Sequence, residues 1–308
     1  MGIYVNSFEL PSEDDEGRFA SQCKRVASYD TTYPWGLFQN RFSRIPLEFG
    51  QVTILYGENG CGKSTILNLL AAALGITRVS PFNKSPFFDE YVSHCRVTRP
   101  RDEFGEAMPI PSTSKIITSD DVFQHILHTR ATNETIEKER KKHLSVWDEY
   151  NAPGARPPKL HVDFDDPASV KAFNQQVRVR KMSARQFVRS EMDSGCLPEL
   201  SNGESAYHYF AQAIAENSLF LLDEPENSMS PSLQLKLCEY LTLRSTVMGT
   251  QLIIATHSPI ILAMEGAKVY DLDSTPWRVR PWYELRNPQV YYRFFKHYAK
   301  LFEDGAKA

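Results

Sequence analysis

The chain has 308 residues, 42% of them hydrophobic, and 35 Lys and Arg stand against 38 Asp and Glu for a formal net charge of -3. That is ample apolar material for a buried core, and the near balance of charge excludes attraction to nucleic acid or anionic lipid by the overall field, leaving only local patches. Five cysteines (Cys23, Cys61, Cys95, Cys196, Cys238), odd in number and without a CxxC pair, fit neither a disulfide framework nor a zinc site and point to a reducing cytoplasm.

The N-terminal MGIYVNSFELPSEDDE lacks the basic-then-apolar order of a secretory leader. Gly2 suits myristoylation, but Asn6 stands where Ser or Thr is required. No apolar run reaches the roughly 18 residues of a membrane span, so a soluble cytoplasmic protein with no membrane partner is expected. VTILY (52–56) is β-branched and apolar and reads as a strand. GENGCGKST (57–65) follows, and KSTILNLLAAALG then favours helix, with Gly75 as its C-cap. Gly57, Gly60, Gly62, Lys63 and Ser64 match GxxxxGK[ST] in the setting it requires, after a strand and opening a helix. Such glycines let successive backbone N–H groups converge on phosphates, and the helix N-terminus adds a favourable dipole. The candidate nucleotide-binding residues are therefore Gly57, Glu58, Asn59, Gly60, Cys61, Gly62, Lys63, Ser64 and Thr65. Lys63 is suited to neutralising phosphate charge, and Ser64 to offering its hydroxyl to Mg²⁺.

Residues 76–114 contain five prolines and read as irregular chain with short strands before the apolar run KIIT at 115–118. A helix is expected from near Asp120 to about residue 148, NAPGARPP turns the chain, and a second helix runs back over about 167–192. This pair is expected to form a helical hairpin, a lobe over 119–200 inserted into a single domain spanning 1–308. On its returning helix Arg178, Lys181, Arg185 and Arg189 follow at steps of three, four and four, hence on one face. That face is open to three readings: solvation, contact with a nucleic-acid backbone, or an acidic partner.

LSNGES (200–205) opens a helix to about residue 216, with Ser201 and Gly203 at its start. A helix N-terminus with a serine hydroxyl is an anion site. LFLLDEPE (219–226) is an apolar strand ending in two carboxylates, which in a strand point to opposite faces and so take different tasks. Asp223 is placed to hold Mg²⁺ through water and Glu224 to act as general base on the attacking water. A helix begins at Ser230 and Pro231. The strand QLIIAT then leads to His257, at a strand's carboxyl end, within reach of a γ-phosphate, and Ser258 and Pro259 start a short helix. The alternation of strands and helices predicts a mainly parallel α/β sheet covered on both faces. The last helix opens at Asn287 and Pro288, and Tyr291, Phe295, Tyr298 and Phe302 at steps of four, three and four read as a stripe packed on the core.

These stretches, with LEFGQVTILYGENGCGKST, SDDVF, LLDEPENSMSP and IIATHSPIILAMEGAKVYDLD, resemble the ATP-binding cassette clan over about 50–272. Within it they look like the small AAA-type ATPases of bacteria, soluble proteins related to the SMC and recombination-repair ATPases, with relatives in some phage-defence systems. The clan's signature begins LSGGQ; Ser201, Gly203 and Glu204 fit, and Asn202 replaces a glycine. The resemblance implies a P-loop fold of the cassette type, ATP and Mg²⁺ as cofactors, and hydrolysis carried by Glu224 and His257. It also implies that Ser201 and Gly203 act on ATP held by a second protomer. The expected result is an ATP-dependent homodimer, a switch for a partner protein or nucleic acid in DNA repair or phage defence.

Two departures and one open position bear on this. Where the clan has a glutamine at the entry to the helical lobe, KIIT runs into Ser119, Asp120 and Asp121, with Gln124 already inside the helix. Ser230 stands where an aspartate follows the catalytic glutamate, and Trp35 or Phe38 are the aromatics ahead of the loop available to stack on adenine. The competing readings are the energising subunit of a membrane transporter and an ATPase that gates a separate nuclease.

Overall fold

A computed structural model describes residues 2–21, 29, 31–38, 46–155, 163, 165–192, 195, 197 and 200–305, with side chains described as far as 302. Two compact units emerge: one of 1–123 with 201–308, the other of 124–200.

In chain order the first unit begins with β1 (Ser7–Glu9), α1 (Glu13–Ser21), β2 (Leu47–Glu48), β3 (Val52–Tyr56), α2 (Lys63–Ala73), α3 (Phe88–His94), β4 (Arg96–Thr98) and β5 (Lys115–Thr118). The helix α4 (Ser119–Asn151) starts in this unit and supplies residues from 124 onward to the second, which continues with α5 (Pro167–Lys181) and α6 (Ala184–Glu191). The first unit resumes with α7 (Asn202–Ala213), β6 (Leu219–Asp223), α8 (Pro231–Thr246), β7 (Gln251–Ala255), α9 (Pro259–Leu262), β8 (Lys268–Asp271) and β9 (Arg278–Val279), and ends with α10 (Arg286–His297) and α11 (Ala299–Gly305).

Its central sheet has the order β5-β6-β7-β3-β8-β9, parallel throughout except for β9, and is flanked by helices. A parallel sheet must bury both faces, which is why β3 and β7 are buried at every position and β6 at every position but Asp223. Helix α2 is buried on nearly all sides, with Ile66, Leu67, Leu69 and Leu70 in the core. A second, antiparallel sheet has the order β2-β1-β4. The N-terminal segment is tied to the central sheet by Gln251, whose side chain is fully buried. Its Oε1 accepts from Tyr4 N–H and Val5 N–H at 2.8 and 3.0 Å, and its Nε2 donates to the carbonyls of Val5 and Gly50 at 2.8 and 3.0 Å. The register aligns the carboxyl ends of five strands: Thr118 lies beside Asp223, Asp223 beside Ala255, Leu55 beside Ala255, and Tyr56 beside Asp271. The segments that follow β3, β5, β6, β7 and β8 therefore leave the sheet on one edge, where open parallel sheets bind ligands.

In the second unit the returning segment is two helices, because Ser183 and Gln186 form a reciprocal capping box that starts α6 after a break at Met182. Trp147 Nε1 donates to the freed Met182 carbonyl at 2.9 Å, and Val179 and Phe187 are buried. The four basic residues consequently do not form one helical face. Arg178 lies on α5 and pairs with Glu191 at 3.2 Å, while Arg185 and Arg189 lie on α6.

The stripe at the chain's end is also placed differently from the expectation. Tyr291, Phe295, Tyr298 and Phe302 are exposed, not packed in the core. The spacing identified one face of a helix but carried no information on which face meets water. Among the described residues no helix is long and apolar enough to cross a membrane.

Candidate nucleotide site

The loop after β3 is shaped by its glycines. Gly62 has φ 103°, in the left-handed region, and a Cβ there would lie 2.5 Å from the Phe38 ring, so this position admits no side chain. Gly62 caps α2 without any side-chain cap, which leaves the first N–H groups of that helix available to an anion. Lys63, the first residue of α2, is buried and folds back on the loop: its Nζ donates to the carbonyls of Gly57 at 2.8 Å and Glu58 at 3.2 Å. Cys61 is buried in the same loop, with its Sγ 3.9 Å from Lys63 Nζ. Thr65 Oγ1 accepts from the Tyr33 hydroxyl at 2.9 Å.

The end of β6 supplies the acidic side. Ser64 Oγ donates to Asp223 Oδ1 at 3.0 Å, joining the loop to the strand across 159 residues of sequence. Burial pushes the Asp223 carboxyl up to about 6, with repulsion from Glu224 adding and the Ser64 hydroxyl opposing. Glu224 does not continue the strand. Its φ of 48° is left-handed, uncommon for a residue with a Cβ, and the kink is held by its N–H donating to the Ala255 carbonyl at 2.8 Å. The expectation that the two carboxylates point to opposite faces is thus corrected: both line one cleft of about 840 Å³, with Ser64, Thr65, Ser119 and Asp120. Strained backbone of this kind persists where surrounding contacts hold it, and it gathers at functional sites.

His257 closes the group from β7. Its Nε2 lies 2.8 Å from Lys63 Nζ and 3.5 Å from Glu224 Oε1. Burial, then the neighbouring Lys63 ammonium, hold the imidazole below the ordinary histidine range, so it is neutral at pH 7. Because an ammonium only donates, Nε2 must be the accepting nitrogen, and the ring proton sits on Nδ1. Glu224 Oε2 accepts from Asn227 Nδ2 at 3.0 Å.

Two residues not singled out from the sequence organise this arrangement. Glu226 Oε1 accepts from Thr256 Oγ1 at 2.6 Å, His257 N–H at 2.8 Å and Ser258 N–H at 3.1 Å, and so fixes the backbone that carries the imidazole. Its sequence signal is its place in DEPE, two residues after Glu224. Asp273, in the loop after β8, accepts from Glu58 N–H with both oxygens at 2.9 and 3.0 Å. No local pattern marks it, since 215 residues separate the pair.

The remaining expected residues lie elsewhere or are committed. Ser201 is the N-cap of α7, and its hydroxyl is engaged with Glu204, donating to Oε2 at 2.7 Å and accepting from Glu204 N–H at 3.3 Å. Gly203 is buried, and a Cβ there would lie 2.9 Å from the Ser228 carbonyl oxygen. Neither lines the cleft of Ser64 and Asp223. Trp35 is 4% exposed and stacks on Phe19 at 4.5 Å, and Phe38 is fully buried against Gly62, so both are core residues without a face for adenine. Asp121 accepts from Thr118 N–H at 2.8 Å and Ser80 N–H at 3.0 Å, a structural clamp at the start of α4. Gln124 falls in the second unit.

A glycine-rich loop between the central strand of a parallel sheet and a buried helix, faced by a hydroxyl–carboxylate pair, defines a P-loop nucleotide-binding domain. A family described as "AAA domain" matches residues 35–192, more than half of the chain, and one described as "AAA domain, putative AbiEii toxin, Type IV TA system" matches 123–263. The chain belongs to the AAA domain family. Among solved structures it is similar to the SMC head domain from Thermotoga maritima, with 14% identity over 78% of this chain and 94% of that one and a TM-score of 0.32. It is also similar to the Pyrococcus furiosus Smc head domain bound to the C-terminal domain of ScpA, at 12% identity, 90% and 96% coverage and a TM-score of 0.40. A dimeric ATP-binding cassette bound to ADP and Pi matches at 13% identity, 78% and 90% coverage and a TM-score of 0.34.

Proposed function

We propose that this chain is a Mg²⁺-dependent ATPase whose ATP-bound form closes as a two-fold dimer and acts as a switch for a partner. One observation carries the reading: Lys63, Ser64, Asp223, Glu224 and His257, from three separate strand ends, are linked by contacts of 2.8 to 3.5 Å or share one cleft. In that reading the first N–H groups of α2 and the Lys63 ammonium take the β- and γ-phosphates. Binding draws Lys63 off the Gly57 and Glu58 carbonyls and frees His257 Nε2. Glu224 accepts a proton from the attacking water, and the neutral His257 orients the groups around it.

The donor set suits Mg²⁺. The Ser64 hydroxyl and Asp223 carboxylate are hard oxygen ligands 3.0 Å apart. Mg²⁺ needs only one or two such protein ligands beside phosphate and water. Bound there, the ion would neutralise charge on the phosphate oxygens.

A role for Ser201 and Gly203 toward the nucleotide of a second protomer is supported by their absence from the cleft of their own chain. The test mixes two inactive proteins, Lys63→Ala and Ser201→Arg. A mixed dimer keeps one site with an intact loop and an intact signature, and with random exchange up to about a quarter of wild-type turnover should return, a figure that rests on two-fold closure and independent sites. Mixed dimers shown by crosslinking to form, yet no more active than either parent, would sink the trans assignment.

A further inference from the structure

Helix α10 and its continuation α11 are amphipathic in the inverted sense. Arg286, Gln289 and Arg293, at steps of three and four, line a cleft with Glu58, Asp271 and Asp273, and Arg286 pairs with Glu58. The polar side is therefore the one applied to the body of the first unit. The start of the helix is anchored there too: Leu285 and Pro288 are buried, and Asn287 N–H donates to the Tyr56 hydroxyl at 3.1 Å. The other side carries Tyr291, Phe294, Phe295, Tyr298, Leu301 and Phe302, each between 41% and 68% exposed. Their rings meet one another, Phe294 on Phe295 and Tyr298, and Phe295 on Phe302. A surface helix ordinarily turns its apolar stripe to the core, and a contiguous apolar face of this size marks a place where something binds.

We propose that this face is an isologous interface between two copies of the chain, formed without nucleotide and separate from the ATP-closed dimer. The area is sufficient. A buried Phe or Tyr contributes about 150–250 Å², so the six side chains at about half exposure offer about 600 Å², within the about 600–1,000 Å² per partner of a stable interface. Tyr and Phe are the residues enriched in interface cores. These six carry no charge, so a two-fold arrangement that brings each near its own counterpart meets no like-charge repulsion among them. A lipid surface fits the observations less well. Arg286 and Arg293, which would meet anionic headgroups, face Glu58, Asp271 and Asp273 instead of lying beside the aromatic stripe.

Sedimentation of the full chain without nucleotide tests the interface. The wild type is expected to be dimeric at about 10 μM, and Tyr291→Glu with Phe295→Glu to raise the dissociation constant by at least about 100-fold, the loss typical of central aromatic anchors. Both side chains are exposed, so the double variant should keep the wild-type circular dichroism spectrum and its affinity for Mg²⁺–ATP. As a second measurement, Tyr298→Cys, near the middle of the stripe, should crosslink to its own counterpart with a short bis-maleimide beyond any product of the parent chain. A nucleotide-free wild type that sediments as a monomer at about 100 μM, a double variant that remains dimeric, or monomers that float with anionic phosphatidylserine vesicles would each overturn the proposal.

Discussion

Replacing Asp223 by Asn is expected to stabilise the nucleotide-free, metal-free protein at neutral pH while abolishing Mg²⁺-dependent turnover. The carboxyl sits at about 6 in the fold against an ordinary value of 3.8, chiefly because burial disfavours its charge. At 1.36 kcal/mol per pH unit the ionised folded form carries a penalty of about 3 kcal/mol, reduced to about 2 kcal/mol by the solvent that still reaches a half-buried group. The sign follows from linkage. Below the unfolded value both states hold the proton and the penalty is absent. Between the two values the unfolded chain releases a proton that the fold retains, so stability falls as pH rises, and above about pH 6 the full penalty is present. Asparagine keeps the shape and can still accept from Ser64 Oγ. Urea unfolding at about pH 7.5 should therefore show the variant more stable by about 2 kcal/mol, with the gap closing toward pH 4. Saturating Mg²⁺–ATP should reverse the order, because only the carboxylate is suited to the ion. A variant equally or less stable than wild type at pH 7.5, or a gap that does not shrink with acid, would refute the reasoning.

Lys63→Ala should weaken ATP binding itself, since the ammonium holds ground-state charge, whereas Glu224→Gln should keep ATP affinity within about threefold and lose turnover by at least about 100-fold, as expected for a residue acting only on the attacking water. Equilibrium binding of labelled ATP beside a phosphate-release assay separates the two, and equal loss of affinity in both variants would remove Glu224 from the base role. Gln251→Leu should destabilise the fold by about 3 kcal/mol or more, because it leaves two buried N–H donors and two carbonyls short of partners, and the loss should appear in the denaturation midpoint.

Much of the site was readable because its signals are local. The loop 57–65 has its glycines, its lysine and its flanking strand and helix within a single stretch, and the runs ending in Asp223 and His257 are apolar strands that stop on a polar residue. What was not readable is where chemistry depends on a backbone angle or on distant partners. The left-handed turn at Glu224 is stabilised by Ala255, and the His257 backbone is held by Glu226 across 31 residues. Trp35 and Phe38 looked free to stack on a base because sequence does not reveal that Phe19 and Gly62 already cover them. The break at Met182 did have a local signal, Ser183 followed three residues later by Gln186, which outweighs the continuous basic spacing that suggested one helix.

The amide of Gln251 makes the segment at residues 4 and 5 a lateral neighbour of β7, the strand whose far end presents His257. Displacing that segment would strip partners from a fully buried amide at the first residue of β7. His257 stands six residues beyond Gln251 on the same run of chain, so a disturbance at that anchor acts on the strand that leads to the imidazole. A perturbation at residues 4 and 5 is thus also a perturbation of the strand that leads to His257, although neither residue lies near the imidazole in the sequence.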